Sequence, residues 1–187
     1  MSPKAFAVGV RVEHLQEWIN DSQYGKGCPY DLGAAAYKIA TTLENERGVY
    51  SFCMCPGGYV VNASSEEGLL AVNGMSYHAR DGVNANSAII VTVKPEDFGS
   101  DHPLAGMEFQ RKLERKAYEA GKGKIPVQRL EDFCHNRKSE TFGVVKPQMK
   151  GNYELANVRS IFPEFISETI ESGMKQFEQQ IERFSDK

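Results

Sequence analysis

The order of apolar and polar positions divides the chain into a strand-rich first part and a helix-rich second part. Ala5 to Val12 alternates small and apolar residues and predicts a central strand. Leu15, Trp18 and Ile19 then fall at helical spacing, which predicts a short amphipathic helix over 13–24 that stops at Gly25-Lys-Gly27. Cys28 to Gly33 reads as a loop, and the alternation Tyr37, Ile39, Thr41, Leu43 as a second strand over 36–43. Glu44 to Gly48 is a hairpin-like turn into the stretch around which the rest is organised, Arg47-Gly-Val-Tyr-Ser-Phe-Cys-Met-Cys-Pro-Gly-Gly-Tyr-Val-Val61. Val49 to Cys55 is rich in β-branched, aromatic and thiol side chains, as a buried strand is. Pro56-Gly57-Gly58 interrupts it and Tyr59 to Val61 resumes it. Further strands are expected at Leu69–Val72 and Ala88–Val93.

From Pro95 the period changes. Ser100-Asp-His-Pro103 signals a helix start, and Leu104, Met107, Leu113, Ala117 and Ala120 make a helical stripe ending at Gly121-Lys-Gly123. Pro126 opens a second expected helix carrying Val127, Leu130, Phe133 and Cys134, and residues 137–153 read as irregular. In the last helix Phe162, Ile166, Ile170, Met174, Phe177, Ile181 and Phe184 recur three or four residues apart. Gly173 costs that helix about 1 kcal/mol relative to Ala, so a close packing contact is expected there. Strands first and helices second define an α+β domain: a mixed, largely antiparallel sheet covered by helices from the C-terminal half.

Period-2 geometry places Cys53 and Cys55 on one face of the organising strand and Phe52 and Met54 on the other. The Pro56-Gly57-Gly58 break is either a tight turn or an exposed elbow facing a ligand. Beyond the next strand, Asn73-Gly-Met-Ser76 and Arg80-Asp-Gly-Val-Asn-Ala-Asn-Ser87 concentrate groups that hydrogen-bond well and pack poorly. Asn84 and Asn86 share a face if extended, and Arg80 can grip a carboxylate or phosphate with two parallel bonds. The plainer alternative is a polar turn that caps its own backbone. Asn73-Gly74 carries a turn signal, which favours a structural Asn73. His14, at the end of the first strand, and His78, near Arg80, are candidate acid–base groups.

These same residues resemble a bacterial family of largely uncharacterised FAD-dependent dehydrogenases of the glutathione-reductase type. The resemblance rests on Gly48-Val-Tyr-Ser-Phe-Cys-Met-Cys-Pro-Gly-Gly58, Ala63-Ser-Ser-Glu66, Asn73 to Ser76, Arg80-Asp81 and Asn84 to Ser87. Phe6 to His14, Gln23 to Gly25, Pro103 to Gly106 and Phe109-Gln110 extend it along nearly the whole chain. It implies that residues 1–187 are one domain, the middle segment inserted between two halves of an FAD-binding domain absent from this chain. It further implies a substrate-side cap over a flavin, in a dehydrogenase that uses a nicotinamide. Pro56, Gly57, Gly58, Asn73, Ser76, Arg80, Asn84, Asn86 and Ser87 would then face substrate or flavin, with Cys53, Cys55 and His78 as catalytic candidates. The implied partners are the flanking FAD-binding domain of the same polypeptide and a small-molecule substrate. A stand-alone α+β domain that binds a small anion is the competing reading.

Composition narrows the classes. The chain has 187 residues, 41% hydrophobic and 25% charged, as in an ordinary globular protein. A net charge of −3 and a pI near 5.9 provide no basic footprint for nucleic acid. The cluster Arg111, Lys112, Arg115, Lys116 is interleaved with glutamates and reads as a solvated helix face. No apolar run approaches the ~18 residues of a membrane span. Four irregularly spaced cysteines suggest no disulfide framework, and a cytoplasmic location is expected. Zinc bound by Cys53, Cys55, Cys134 and His135 would match no common ligand spacing, so no metal is expected. The Gly-x-Gly-x-x-Gly turn that cradles a dinucleotide pyrophosphate is missing, because Gly121-Lys-Gly123 follows a helix instead of a strand. No tight FAD binding by this chain alone is expected.

Overall fold

The computed structural model describes residues 3–185 and shows an α+β fold built on an antiparallel sheet. β1 (Phe6–Leu15) runs straight into α1 (Gln16–Tyr24); β2 (Ala40–Thr42) and β3 (Gly48–Cys55) form the next hairpin. β4 (Gly58–Asn62), β5 (Val72–Ser76) and β6 (Asn84–Val93) complete the strand-rich part. The remainder holds α2 (Ala105–Ala120), β7 (Ile125–Val127), α3 (Leu130–Cys134), β8 (Met149–Lys150), β9 (Tyr153–Leu155) and α4 (Glu164–Phe177). The main sheet has the order β1-β6-β3-β2, antiparallel throughout. A second sheet, β5-β4-β8, combines an antiparallel and a parallel pairing, and β7 and β9 form a short parallel pair.

One face of the main sheet makes the core. Ile89, Val91 and Val93 of β6 and Val49 of β3 point to this side, where Ile166, Ile170, Met174 and Phe177 of α4 cover them, and Val8, Val10 and Val12 of β1 lie half-buried on the same side at its margin. The step of four and three residues along α4 supplies that apolar stripe. Gly173 lets the helix come down onto the sheet: a Cβ there would stand 2.6 Å from Val49 Cγ1. The close contact expected at Gly173 is therefore present. Ile181 and Phe184 continue the buried stripe past the end of α4, in turns instead of helix.

Several expectations change. β1 is an edge strand, not a central one, and it extends to Leu15, so the helix starts at Gln16 instead of residue 13. The strand expected over 36–43 pairs only from Ala40 to Thr42. At Ile39 the ladder becomes irregular: the Ser51 N–H still donates to the Ile39 carbonyl at 2.8 Å, but the Ile39 N–H turns to Ser51 Oγ at 2.9 Å, a side chain substituting for backbone. Asn73-Gly74 is not a turn; it lies in β5, paired with Val60 and Val61. The strand expected at 69–72 begins only at Val72, and the central strand starts at Asn84, four residues before the apolar run. Pro126 opens no helix but sits in β7, as proline can in a two-stranded edge pair. β8 and β9 lie in or just beyond the stretch expected to be irregular.

Candidate functional site

The opposite face of the main sheet is where the polar residues meet. Pairing Val12 with Ser87 and Arg11 with Ala88 puts Arg11 and Glu13 on this second face, beside Asn84 and Asn86. Each charged side chain reaches diagonally by one step along β6. Arg11 Nε donates to Asn86 Oδ1 at 2.8 Å, and Asn84 Nδ2 donates to Glu13 Oε1 at 3.1 Å.

Arg11 is the hub. Besides Asn86 it donates through Nη1 to Asn73 Oδ1 (3.3 Å) and through Nη2 to the Cys53 carbonyl (2.5 Å), and Nη2 lies 3.6 Å from Cys55 Sγ. The guanidinium thus gathers β1, β3, β5 and β6. Gly74 makes room for it, because a Cβ at that position would stand 2.2 Å from Arg11 Nη2 and 2.3 Å from Asn86 Oδ1. Burial pushes the guanidinium below its ordinary value, while the Cys55 and Cys53 thiols beside it act in the opposite direction. Asn86 is fully buried, yet its Nδ2 has no hydrogen-bond partner among the described residues.

A bulge in β3 shapes the outer rim. Phe52 pairs with Ala88 and Cys55 with Asn86, so two residues of β3 span one of β6. Cys53 absorbs the extra length at φ 44°, a region that non-glycine residues seldom enter. Strict alternation therefore ends at Phe52, and Cys53 and Cys55 do not sit as successive side chains of a regular strand. Phe52 and Cys53 are exposed, and Cys55 Sγ lies 3.3 Å from the Cys53 carbonyl.

The Pro56-Gly57-Gly58 break is a buried turn that carries the chain from the main sheet into the second one, which excludes the exposed elbow. Gly57 N–H donates to Gln16 Oε1 at 2.7 Å, and Ser76 Oγ donates to the Pro56 carbonyl at 2.6 Å. The Arg80 carbonyl crosses so near that a Cβ on Gly57 would meet it at 1.9 Å; Gly57 and Arg80 both have positive φ. Gly82 N–H closes the crossing on the Gly57 carbonyl at 3.1 Å. The Arg80 and His78 side chains are exposed.

Glu13 anchors a second polar group. It also accepts the Gln148 N–H at 2.8 Å, while Asn84 bonds the Lys146 carbonyl at 2.7 Å. Burial holds the Glu13 carboxyl above the usual range, against the opposing effect of its bond from Asn84.

Of the residues selected from sequence, Cys53, Cys55, Asn73 and Asn86 meet around Arg11. Pro56, Gly57, Gly58, Ser76 and Arg80 meet at the crossing. Asn84 joins Glu13. Ser87 does not join them: its Oγ lies 2.7 Å from the Tyr37 hydroxyl on the core face, and burial pushes that phenol up to about 12. His14 also belongs to the core face, where Nε2 donates to the Phe184 carbonyl at 2.7 Å. Arg11, Glu13, Gln16 and Gln148 were not singled out from sequence. The signal for the first two was available: alternation in β1 puts Arg11 and Glu13 on one face, matching an Asn-x-Asn pair elsewhere. Cys134 and His135 close α3, and no group of three or more metal-ligating side chains occurs among the described residues.

The fold is thus an α+β domain whose second sheet face carries a half-buried arginine bonded to three other strands. The chain belongs to the family described as FAD-dependent protein, C-terminal domain-like, whose model matches residues 5–187. It is similar to an uncharacterized protein of Clostridium beijerinckii, 49% identical over 189 residues, spanning 99% of this chain and 36% of that protein's length. The family associates the domain with FAD. At the β1–α1 junction the strand passes into the helix without a glycine turn, and the first amide of α1, Gln16 N–H, is taken by the Val83 carbonyl at 2.8 Å. No helix among the described residues is long and apolar enough to cross a membrane.

Proposed function

We propose that this chain is the substrate-side domain of a longer cytoplasmic FAD-dependent oxidoreductase, one that uses a nicotinamide, and that it is inactive in isolation. The observation that carries this reading is the Arg11 hub, which fixes the exposed Phe52-Cys53 bulge beside Asn73 at the rim of the polar face. Such a rim presents amide, thiol and guanidinium groups in a geometry set by several bonds to one guanidinium, as positioning of a small molecule requires. FAD would be held by the flanking part of the polypeptide, a reading supported by the missing Gly-x-Gly-x-x-Gly turn. Arg80, exposed on a backbone clamped by Gly57, would bind an anionic group of the substrate. The Arg11–Asn86 pair would shape the pocket wall, and Cys53, Cys55 and His78 would be its reactive groups, with Cys55 Sγ 3.6 Å from the Arg11 guanidinium.

The test is made on the native protein. Capture it from its source cells with an antibody to this chain, then record its mass and its absorbance in the flavin band. A much larger yellow protein is expected. A colourless protein of about this chain's 20.9 kDa would overturn the reading and leave a stand-alone domain that binds a small anion through Arg80.

A further inference from the structure

β1 is ten residues long, roughly 33 Å of strand at the usual rise, and it forms one edge of the main sheet. One side of its backbone pairs with β6 along its whole length. In an antiparallel ladder every second residue then turns its N–H and C=O outward. From Phe6 to Glu13 these outward groups bond to nothing else among the described residues. A free edge this long is a template for another strand, and proteins normally cover, shorten or charge such edges.

This edge borders a hollow of about 640 Å³. Val8, Val10 and Val12 form one wall, and Ile125, Val127 and Leu155, from the β7–β9 pair, line it as well. The volume falls within the range of small-molecule pockets. An apolar small molecule, however, could not satisfy a row of backbone donors and acceptors, and covering them unpaired would be costly. An extended peptide does both, bonding the edge through its backbone and filling the apolar walls with alternate side chains.

We infer that an extended segment of the longer polypeptide, outside residues 1–187, lies along β1 as a fifth strand of the main sheet. The inference rests on the reading that this chain is one part of a longer flavoprotein. That most of the length of the Clostridium relative lies beyond the matched region supplies the chain from which such a segment can come. Pairing in this way would join the flanking portion to the sheet that carries Arg11, and so fix the polar rim relative to it.

Hydrogen exchange measured over Phe6–Glu13, in this chain alone and in the full-length relative, tests the inference. Alternate amides are expected to exchange freely in the isolated chain. In the longer protein they should slow by about tenfold or more, the scale of one or two net hydrogen bonds. Equally rapid exchange in both proteins would overturn the inference. So would protection in the isolated chain that grows with its concentration, since that would make the occupant a second copy. Flavin absorbance of the same longer protein keeps the two readings separate. A yellow protein with unprotected amides loses the strand and keeps the flavoprotein, and a colourless one with protected amides does the reverse.

Discussion

Arg11 and Asn86 lie 75 residues apart in sequence and are joined by a 2.8 Å bond from the guanidinium Nε to the amide oxygen, under the second sheet and around Gly74. Because Asn86 is fully buried, removing Arg11 would strand its oxygen as well as its already unpartnered nitrogen. Arg11→Met is therefore expected to lower stability by about 1–3 kcal/mol, the cost of an unsatisfied buried acceptor. Arg11→Lys should recover little, since one ammonium cannot reproduce a fork that reaches Asn86, Asn73 and Cys53. Urea unfolding of the two variants checks this, and full recovery by lysine would show that charge alone matters there.

Gly74→Ala tests the same hub from its other side. The added methyl would collide with Arg11 Nη2 and Asn86 Oδ1, so a loss of about 1–3 kcal/mol is expected, as for overpacking. Gly48→Ala is the control: its nearest neighbour is Thr92 Oγ1 at 3.4 Å, and it should be neutral or stabilise by up to ~1 kcal/mol. Thermal unfolding distinguishes the pair.

At Gly173 two effects oppose each other. Alanine would gain about 1 kcal/mol of helix propensity, while its Cβ would press on Val49 at 2.6 Å. The clash is expected to win, leaving Gly173→Ala net destabilised. Trimming the neighbour should restore part of the loss, so Gly173→Ala combined with Val49→Ala should be less destabilised than the two single effects summed. Strict additivity would refute the contact.

Glu13 makes stability depend on pH. Burial raises its folded-state pKa, so the folded state holds the proton more tightly than the unfolded chain does. The penalty for ionising Glu13 is absent below the unfolded value and grows as pH rises through the raised one. Relative to Glu13→Gln, the native protein should lose stability as pH rises from the ordinary carboxylate range towards neutrality. Subtracting the two stability curves isolates this group from Asp97, Asp132 and Glu171, whose carboxyls are held low by their hydrogen bonds. A flat difference curve would contradict the assignment.

On the proposed reading, Arg80→Ala concerns function more than folding. The side chain is exposed, so stability should change by no more than about 0.5 kcal/mol. In the longer protein the substitution should raise KM for an anionic substrate while flavin content stays constant. Steady-state kinetics with unchanged KM would remove Arg80 from the site.

Periodicity made the α+β class, β3, α2, α4 and the Gly173 contact legible before any coordinates, because each is set by side chains that repeat along one element. Edge and centre could not be told apart for β1, whose alternation describes its two faces and says nothing of its neighbours in the sheet. Asn73-Gly74 misled because its turn preference is local, while pairing with β4 and room for Arg11 are tertiary demands. Arg11 itself was hidden by its setting: a charged residue in a strand ordinarily faces water. The partners that make this one a hub come from three other strands.

The crossing of Gly57 beneath the Arg80 carbonyl has a consequence for engineering. Residues 77–83 and the turn at 56–58 behave as a knot tied from two ropes, each holding the other's unusual backbone in place. A graft that carried the Arg80 segment into another scaffold without a glycine beneath it would arrive with the wrong shape. The backbone shape of the Arg80 segment has to be inherited as a two-part cassette.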